Sequence, residues 1–157
     1  MPDHTSVLFV CLGNICRSPL AHGILQHLVD QADLTTHYHI DSCGTANYHT
    51  GNPPDPRSIQ TAALHNIDIT MQRARQFDLS TDINRFDHII PMDAANHRDL
   101  SKLKVPDTKL KLMRSFDPTL TKPQDVPDPY YGGDDGFEKV YQMLTRACQG
   151  LLDQLDR

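Results

Sequence analysis

Residues 6 to 20, SVLFVCLGNICRSPL, constrain this chain more than any other stretch. An apolar run from Val7 to Val10 ends at Cys11, and a short polar loop leads to Arg17, Ser18 and a helical pattern. The order is strand, tight loop, helix. A loop of this kind gathers backbone N–H groups, and the helix behind it adds its own free N–H groups and the positive end of its dipole. Such a site suits a phosphate dianion, and it suits a thiolate at neutral pH.

The residue types within the loop fit that chemistry. Five residues between Cys11 and Arg17 are enough to curl around a tetrahedral oxyanion. Gly13 is expected to take a backbone conformation closed to most residues. Asn14 tolerates a left-handed conformation and can brace the loop with its side chain. Arg17 carries a planar fork of donors for two phosphate oxygens. Ser18 can donate to the Cys11 sulfur and favour the thiolate.

With Asp128-Pro129-Tyr130-Tyr131 late in the chain, CLGNICRS resembles the signature loop of the low-molecular-weight protein tyrosine phosphatases. The resemblance covers nearly all of residues 5 to 155. It implies a metal-independent phosphatase, free of cofactors, that hydrolyses phosphotyrosine and small aryl phosphates through a phosphocysteine. Cys11 would be the nucleophile, Arg17 the transition-state clamp and Asp128 the general acid. Leu12, Gly13, Asn14, Ile15, Cys16 and Ser18 would form the loop that receives the substrate. Tyr130 and Tyr131 would wall the cleft, with Tyr48 on the opposite rim. The resemblance also implies that Ser42 and Asn14 hydrogen-bond to shape the loop, and that Asp55 and Arg57 form an ion pair beside it.

The rest of the chain reads as alternating elements. Strands are expected at Ser6–Val10, Tyr38–Ser42, Phe86–Pro91 and Lys109–Met113. Helices are expected after the loop, over Ile59, Ala62, Ala63 and Ile67, from Asp93 to about Leu103, and from Asp135 to Leu155. Pro56 suits a first helical turn, and Asp93 suits a cap. Residues 114 to 133 form a loop with four prolines. Strands separated by helices imply an α/β fold, with a four-stranded parallel sheet and helices on both faces, in the Rossmann-like manner of the phosphatase family. One domain is expected over residues 1–157. The loop then sits at the carboxyl end of the first strand, where open α/β sheets bind ligands.

Composition narrows the remaining classes. A formal net charge of −5 argues against a general nucleic-acid binder. No apolar run approaches membrane-spanning length, and Met1 to Ser6 lack the apolar core of a signal peptide. Four cysteines without framework spacing point to a reducing compartment, hence the cytoplasm. The nine histidines are scattered and join no cysteines at zinc spacing, so no metal is expected. The expected partner is a tyrosine-phosphorylated protein, with the chain a monomer or weak dimer.

Three competing readings are weaker. Arsenate reductases with this loop need redox cysteines near mid-chain, and residues 44 to 147 contain none. Relatives that act on phosphoarginine tend to carry threonine where this chain has Ile15. A pure phosphate-binding module needs neither Cys11 nor Asp128. Cys16 lies close enough along the loop to capture an oxidised Cys11 as a disulfide.

Overall fold

The first strand, β1 (Thr5–Cys11), is the spine of the molecule, buried on both faces. Its side chains divide by parity, as a pleated strand requires. Val7, Phe9 and Cys11 join one apolar cluster, and Leu8 and Val10 join the other. The computed structural model describes residues 4–131, 133 and 135–156. It places β1 between β2 (Tyr38–Gly44) and β3 (His88–Pro91), with all pairings parallel and the order β2-β1-β3.

Helices α1 (Arg17–Gln31) and α5 (Gly136–Leu155) cover the first face of the sheet. Leu20, Ile24 and Val29 from α1 meet Val140, Leu144, Cys148 and Leu151 from α5. Ala62 of α2 (Pro56–Leu64) joins this cluster. The second face is covered by Leu100 of α4 (Ala94–Lys102), by Phe77 and Phe86, and by Val105 and Leu110. Ile83 of the single-turn α3 (Asp82–Arg85) packs against it. Helices thus lie on both faces, as the alternation predicts.

Two helix starts follow their sequence signals. Pro56 opens α2 behind Asp55, whose side chain accepts the Arg57 N–H. Asp93 caps α4 by accepting the Asn96 N–H. Ile67 lies beyond the end of α2 yet is still buried.

The expected fourth strand is not formed, and among the described residues the sheet has three strands. Residues 109 to 111 touch β3 once, through Ile89 N–H to Lys109 O and Lys111 N–H to Ile89 O. In a parallel ladder the next donor on that edge is two residues on, which is Pro91. Proline has no N–H, so the ladder stops after one bridge. A 3₁₀ turn, Met113–Phe116, then carries the chain away.

That turn packs under the end of α5. A Cβ on Gly150 would run into the Phe116 carbonyl oxygen and lie 3.3 Å from Pro118. A backbone carbonyl has no rotamer by which to yield, and the Pro118 ring has little. Gly150→Ala should therefore cost about 2–3 kcal/mol. That corresponds to a fall in Tm of about 4–12 °C, readable by calorimetry.

Candidate active site

The loop between β1 and α1 turns its backbone inside out. Thr45 and Ala46 N–H donate to the carbonyls of Cys11 and Leu12, and Asp55 N–H donates to that of Ile15. The Cys16 carbonyl accepts from Leu20 N–H and from the Ser58 hydroxyl. Among the described residues, none of the N–H groups of residues 12 to 16 makes a hydrogen bond. With the carbonyls drawn outward, these donors are left for the hollow of the loop, an arrangement that binds anions.

Asn14 enforces this shape. Its φ of 58° is left-handed. Its Oδ1 accepts the Arg75 N–H at 3.0 Å, which fixes the amide orientation because a backbone N–H can only donate. Nδ2 then donates to Ser18 Oγ at 2.8 Å and to Ser42 Oγ at 2.9 Å. The Ser18 hydroxyl, having accepted from Asn14, directs its own hydrogen to the Cys11 Sγ at 3.0 Å or the Cys43 carbonyl at 3.3 Å.

Gly13 does not play the expected role. Its φ lies outside the left-handed region, which Asn14 occupies instead. A Cβ there would crowd His49 Cδ2 at 2.9 Å, a side-chain contact that a turn of the imidazole relieves. Gly44, at the end of β2, is the position where space requires glycine, since a Cβ would lie 2.6 Å from the Leu12 carbonyl oxygen.

Arg17 is 2 % exposed. Burial works against its charge, but the Cys11 sulfur and Asp93 outweigh it and hold the guanidinium protonated. Nη1 donates to Asp93 Oδ2 at 2.6 Å and to the Val126 carbonyl at 3.0 Å. Nε is buried and has no partner among the described residues. Nη2 lies 3.7 Å from Asp128 Oδ2. One side of the fork is thus tied to the protein, and the Nε–Nη2 edge is left for a ligand.

Cys11, Leu12, Gly13, Ile15, Cys16, Arg17, Tyr48, Asp128 and Tyr130 line one cleft of about 140 Å³, together with His49. Asn14, Ser18 and Ser42 are buried behind the loop and act on it from there. Tyr131 belongs by its backbone to the turn Pro129–Tyr131, and its side chain lies outside the described residues. Burial, reinforced by Asp55 and the Cys11 sulfur, pushes the Cys16 thiol up to about 12, so it is neutral at physiological pH.

Asp55 and Arg57 form the expected pair, with Arg57 Nε and Nη2 on the two carboxylate oxygens at 3.1 and 3.0 Å. Arg57 also reaches the acid segment. It donates to the Tyr130 carbonyl at 3.3 Å and stacks over the rings of Tyr130 and Phe137. Asp128 Oδ1 in turn accepts the Tyr130 N–H.

Two residues of the site escape a reading of the sequence. Asp93 reads only as a helix cap. Its place just past β3, on the same sheet edge as the loop, is the signal that would have found it. His49 has no local motif at all.

An α/β chain with an amide-lined loop, a cysteine at its head and an arginine at its foot is built for phosphoryl groups. The family model for low molecular weight phosphotyrosine protein phosphatases matches residues 6–157. The human low molecular weight phosphotyrosine protein phosphatase is 41 % identical over 153 residues, 95 % of this chain and 94 % of that protein. A protein tyrosine phosphatase from Entamoeba histolytica superposes with a TM-score of 0.90 at 37 % identity, covering 97 % of both chains. A Drosophila arginine phosphatase superposes at 0.88 with 30 % identity, covering 96 % of this chain and 98 % of that one. The chain belongs to the low molecular weight phosphotyrosine protein phosphatase family and is a hydrolase of that class.

Asp93→Asn keeps an oxygen for the α4 cap but removes the charge facing Arg17. Phosphatase kcat/KM should fall about 10–100-fold, the range for a charge-assisted hydrogen bond. The cap itself should survive, because Asn caps as well as Asp, but stability should fall by about 1–3 kcal/mol, since the Asn amide donor would face the buried Arg17 Nη1 in place of a carboxylate oxygen. Steady-state kinetics and a thermal melt of one preparation check both.

Proposed function

We propose that this chain dephosphorylates tyrosine-phosphorylated proteins through a phosphocysteine at Cys11, without a metal or cofactor. The observation that carries the reading is the hollow above Cys11, where unpaired loop N–H groups and the Nε–Nη2 edge of Arg17 converge on one cleft.

The phosphoryl oxygens take the loop donors and the Arg17 edge, which places phosphorus in front of Cys11 Sγ. The thiolate, stabilised by the Ser18 hydroxyl, attacks phosphorus. The S–P bond forms as the bond to the tyrosyl oxygen breaks, and Asp128 gives that oxygen a proton. The loop donors and Arg17 hold the three equatorial oxygens through the transition state. Asp128, now a carboxylate, takes a proton from water as the water attacks phosphorus. The S–P bond breaks and phosphate leaves. Arg57 steadies the acid through the backbone of Tyr130.

Tyr48 is 70 % exposed and Tyr130 is 41 % exposed, so both offer ring surface at the mouth, where a tyrosyl ring would lie. Ile15 gives the cleft an apolar wall with no hydroxyl for a guanidinium, which favours tyrosine over arginine. No helix among the described residues is long and apolar enough to cross a membrane. The four cysteines are unpaired, which fits a reducing compartment such as the cytoplasm.

Release of phosphate from a phosphotyrosine peptide should survive chelation and be abolished in Cys11→Ser. Asp128→Ala should lower kcat by about 10²–10⁴-fold, the usual weight of a general acid. Loss of turnover on chelation, or turnover of phosphoarginine alone, would overturn the reading.

A further inference from the structure

Arg114 is buried in the 3₁₀ turn that follows the single bridge to β3, and it is not among the residues that line the cleft. Its Nη1 donates to the Asp125 carbonyl at 3.1 Å and to Gln124 Oε1 at 3.4 Å. Among the described residues both partners are neutral oxygens, and its Nε is buried without a partner. Burying a cation against two neutral acceptors costs stability, and an apolar side chain would fill the position without that cost. What the guanidinium adds is a hold on the segment that leads to Asp128.

That segment has little else to hold it. Residues 121 to 125 are all exposed, so burial does not fix them. Among the described residues they are tied to the body by Arg114 and by the Ala94 N–H, which donates to Asp125 Oδ1 at 2.9 Å. Val126, next in line, is buried, with its N–H on the Met92 carbonyl. Arg114 and Arg17 therefore grip two consecutive carbonyls, those of Asp125 and Val126. From there to the acid the chain is stiff. Pro127 and Pro129 have a fixed φ, and each biases the residue before it, Val126 or Asp128, toward extended backbone. A stiff link passes the position of Asp125 on to Asp128, whose carboxyl must stand within hydrogen-bond reach of the leaving oxygen.

We infer that Arg114 is a positioning residue for the general acid: it holds Asp125 so that Asp128 meets the leaving oxygen, and it touches neither the substrate nor the phosphoryl group. This rests on the reading of Asp128 as the acid. A displaced acid does most harm where the leaving group needs a proton. Phenolate, as basic as the tyrosyl oxygen, needs one. 4-Nitrophenolate is a weaker base and leaves with less help. Loss of Arg114 therefore falls mainly on poor leaving groups.

The test compares kcat/KM for phenyl phosphate and 4-nitrophenyl phosphate, a quantity that includes departure of the leaving group but not hydrolysis of the phosphocysteine. The readout is the phenyl:nitrophenyl ratio within each enzyme, which cancels any general loss of activity or of folded protein. Two variants are assayed below the onset of their thermal melts: Arg114→Met, and Arg114→Gln, whose amide ends short of the Asp125 carbonyl. Should one of them not fold, the other carries the test. The ratio should fall about three- to tenfold, a part of the 10²–10⁴-fold weight of a general acid. Asp128→Ala should lower the ratio further, and adding either Arg114 variant to it should lower it no more. A ratio unchanged by the Arg114 variants but lowered by Asp128→Ala would overturn the inference and leave the phosphatase reading in place. A further fall in the double variant would do the same. A ratio that Asp128→Ala itself leaves unchanged would overturn the reading of Asp128 as the acid, and this inference with it.

Discussion

Everything at this site depends on the side-chain amide of Asn14. It is 2 % exposed, sits on a left-handed residue, and bonds to three separate parts of the fold. Arg75 N–H ties it to the segment after α2, Ser42 ties it to β2, and Ser18 ties it to the first turn of α1. A buried amide left unsatisfied would cost about 1–3 kcal/mol. Satisfied on both ends, it instead closes the loop and leaves the Ser18 hydrogen to the Cys11 sulfur or the Cys43 carbonyl. The loop shape and the placement of the Ser18 hydroxyl beside Cys11 therefore share one cause.

The anchors of that amide are themselves fixed by charge. Burial opposes the charge on Arg75, but Asp82 and Asp41 hold it protonated, with contacts of 2.9 and 3.1 Å. Arg17 faces the same conflict more severely, and Asp93 and the Val126 carbonyl resolve it on one edge only. A guanidinium satisfied on both edges would be more comfortable and of no use to a phosphoryl group. On the remaining edge Nε has no partner among the described residues and Nη2 lies 3.7 Å from Asp128, which is where function is expected to interrupt local satisfaction.

What could be read in the sequence follows the distance over which each signal acts. Strand, loop and helix from Thr5 to Gln31 are contiguous, so the apolar run, Asn14 and Arg17 announced them together. The pairing of Asn14 with Ser42 and of Arg57 with Asp55 came from family resemblance, and the structure contains both. The fourth strand failed because alternation at Lys109–Met113 says nothing about its neighbour, and Pro91 on that neighbour withholds the N–H a ladder needs. Asn14 takes the left-handed conformation its residue type tolerates, whereas the conformational freedom expected of Gly13 is not used for a positive φ. Asp93 reaches Arg17, and His49 the cleft, only because β3 and the loop after β2 end on the same edge of the sheet as Cys11. That is a fact of topology and not of local pattern.

The account stands on phosphoryl transfer to the Cys11 sulfur. The most direct measurement is to mix Asp128→Ala, in which hydrolysis of the intermediate is slowed, with a phosphotyrosine peptide. The reaction is quenched within its first turnovers, and the phosphorylated residue is mapped by mass spectrometry under conditions that preserve thiophosphate esters. The account predicts one phosphoryl group per trapped chain, on Cys11, and none on Cys16. A phosphoryl group on any other residue, or release of phosphate with no covalent adduct at any time, would contradict it.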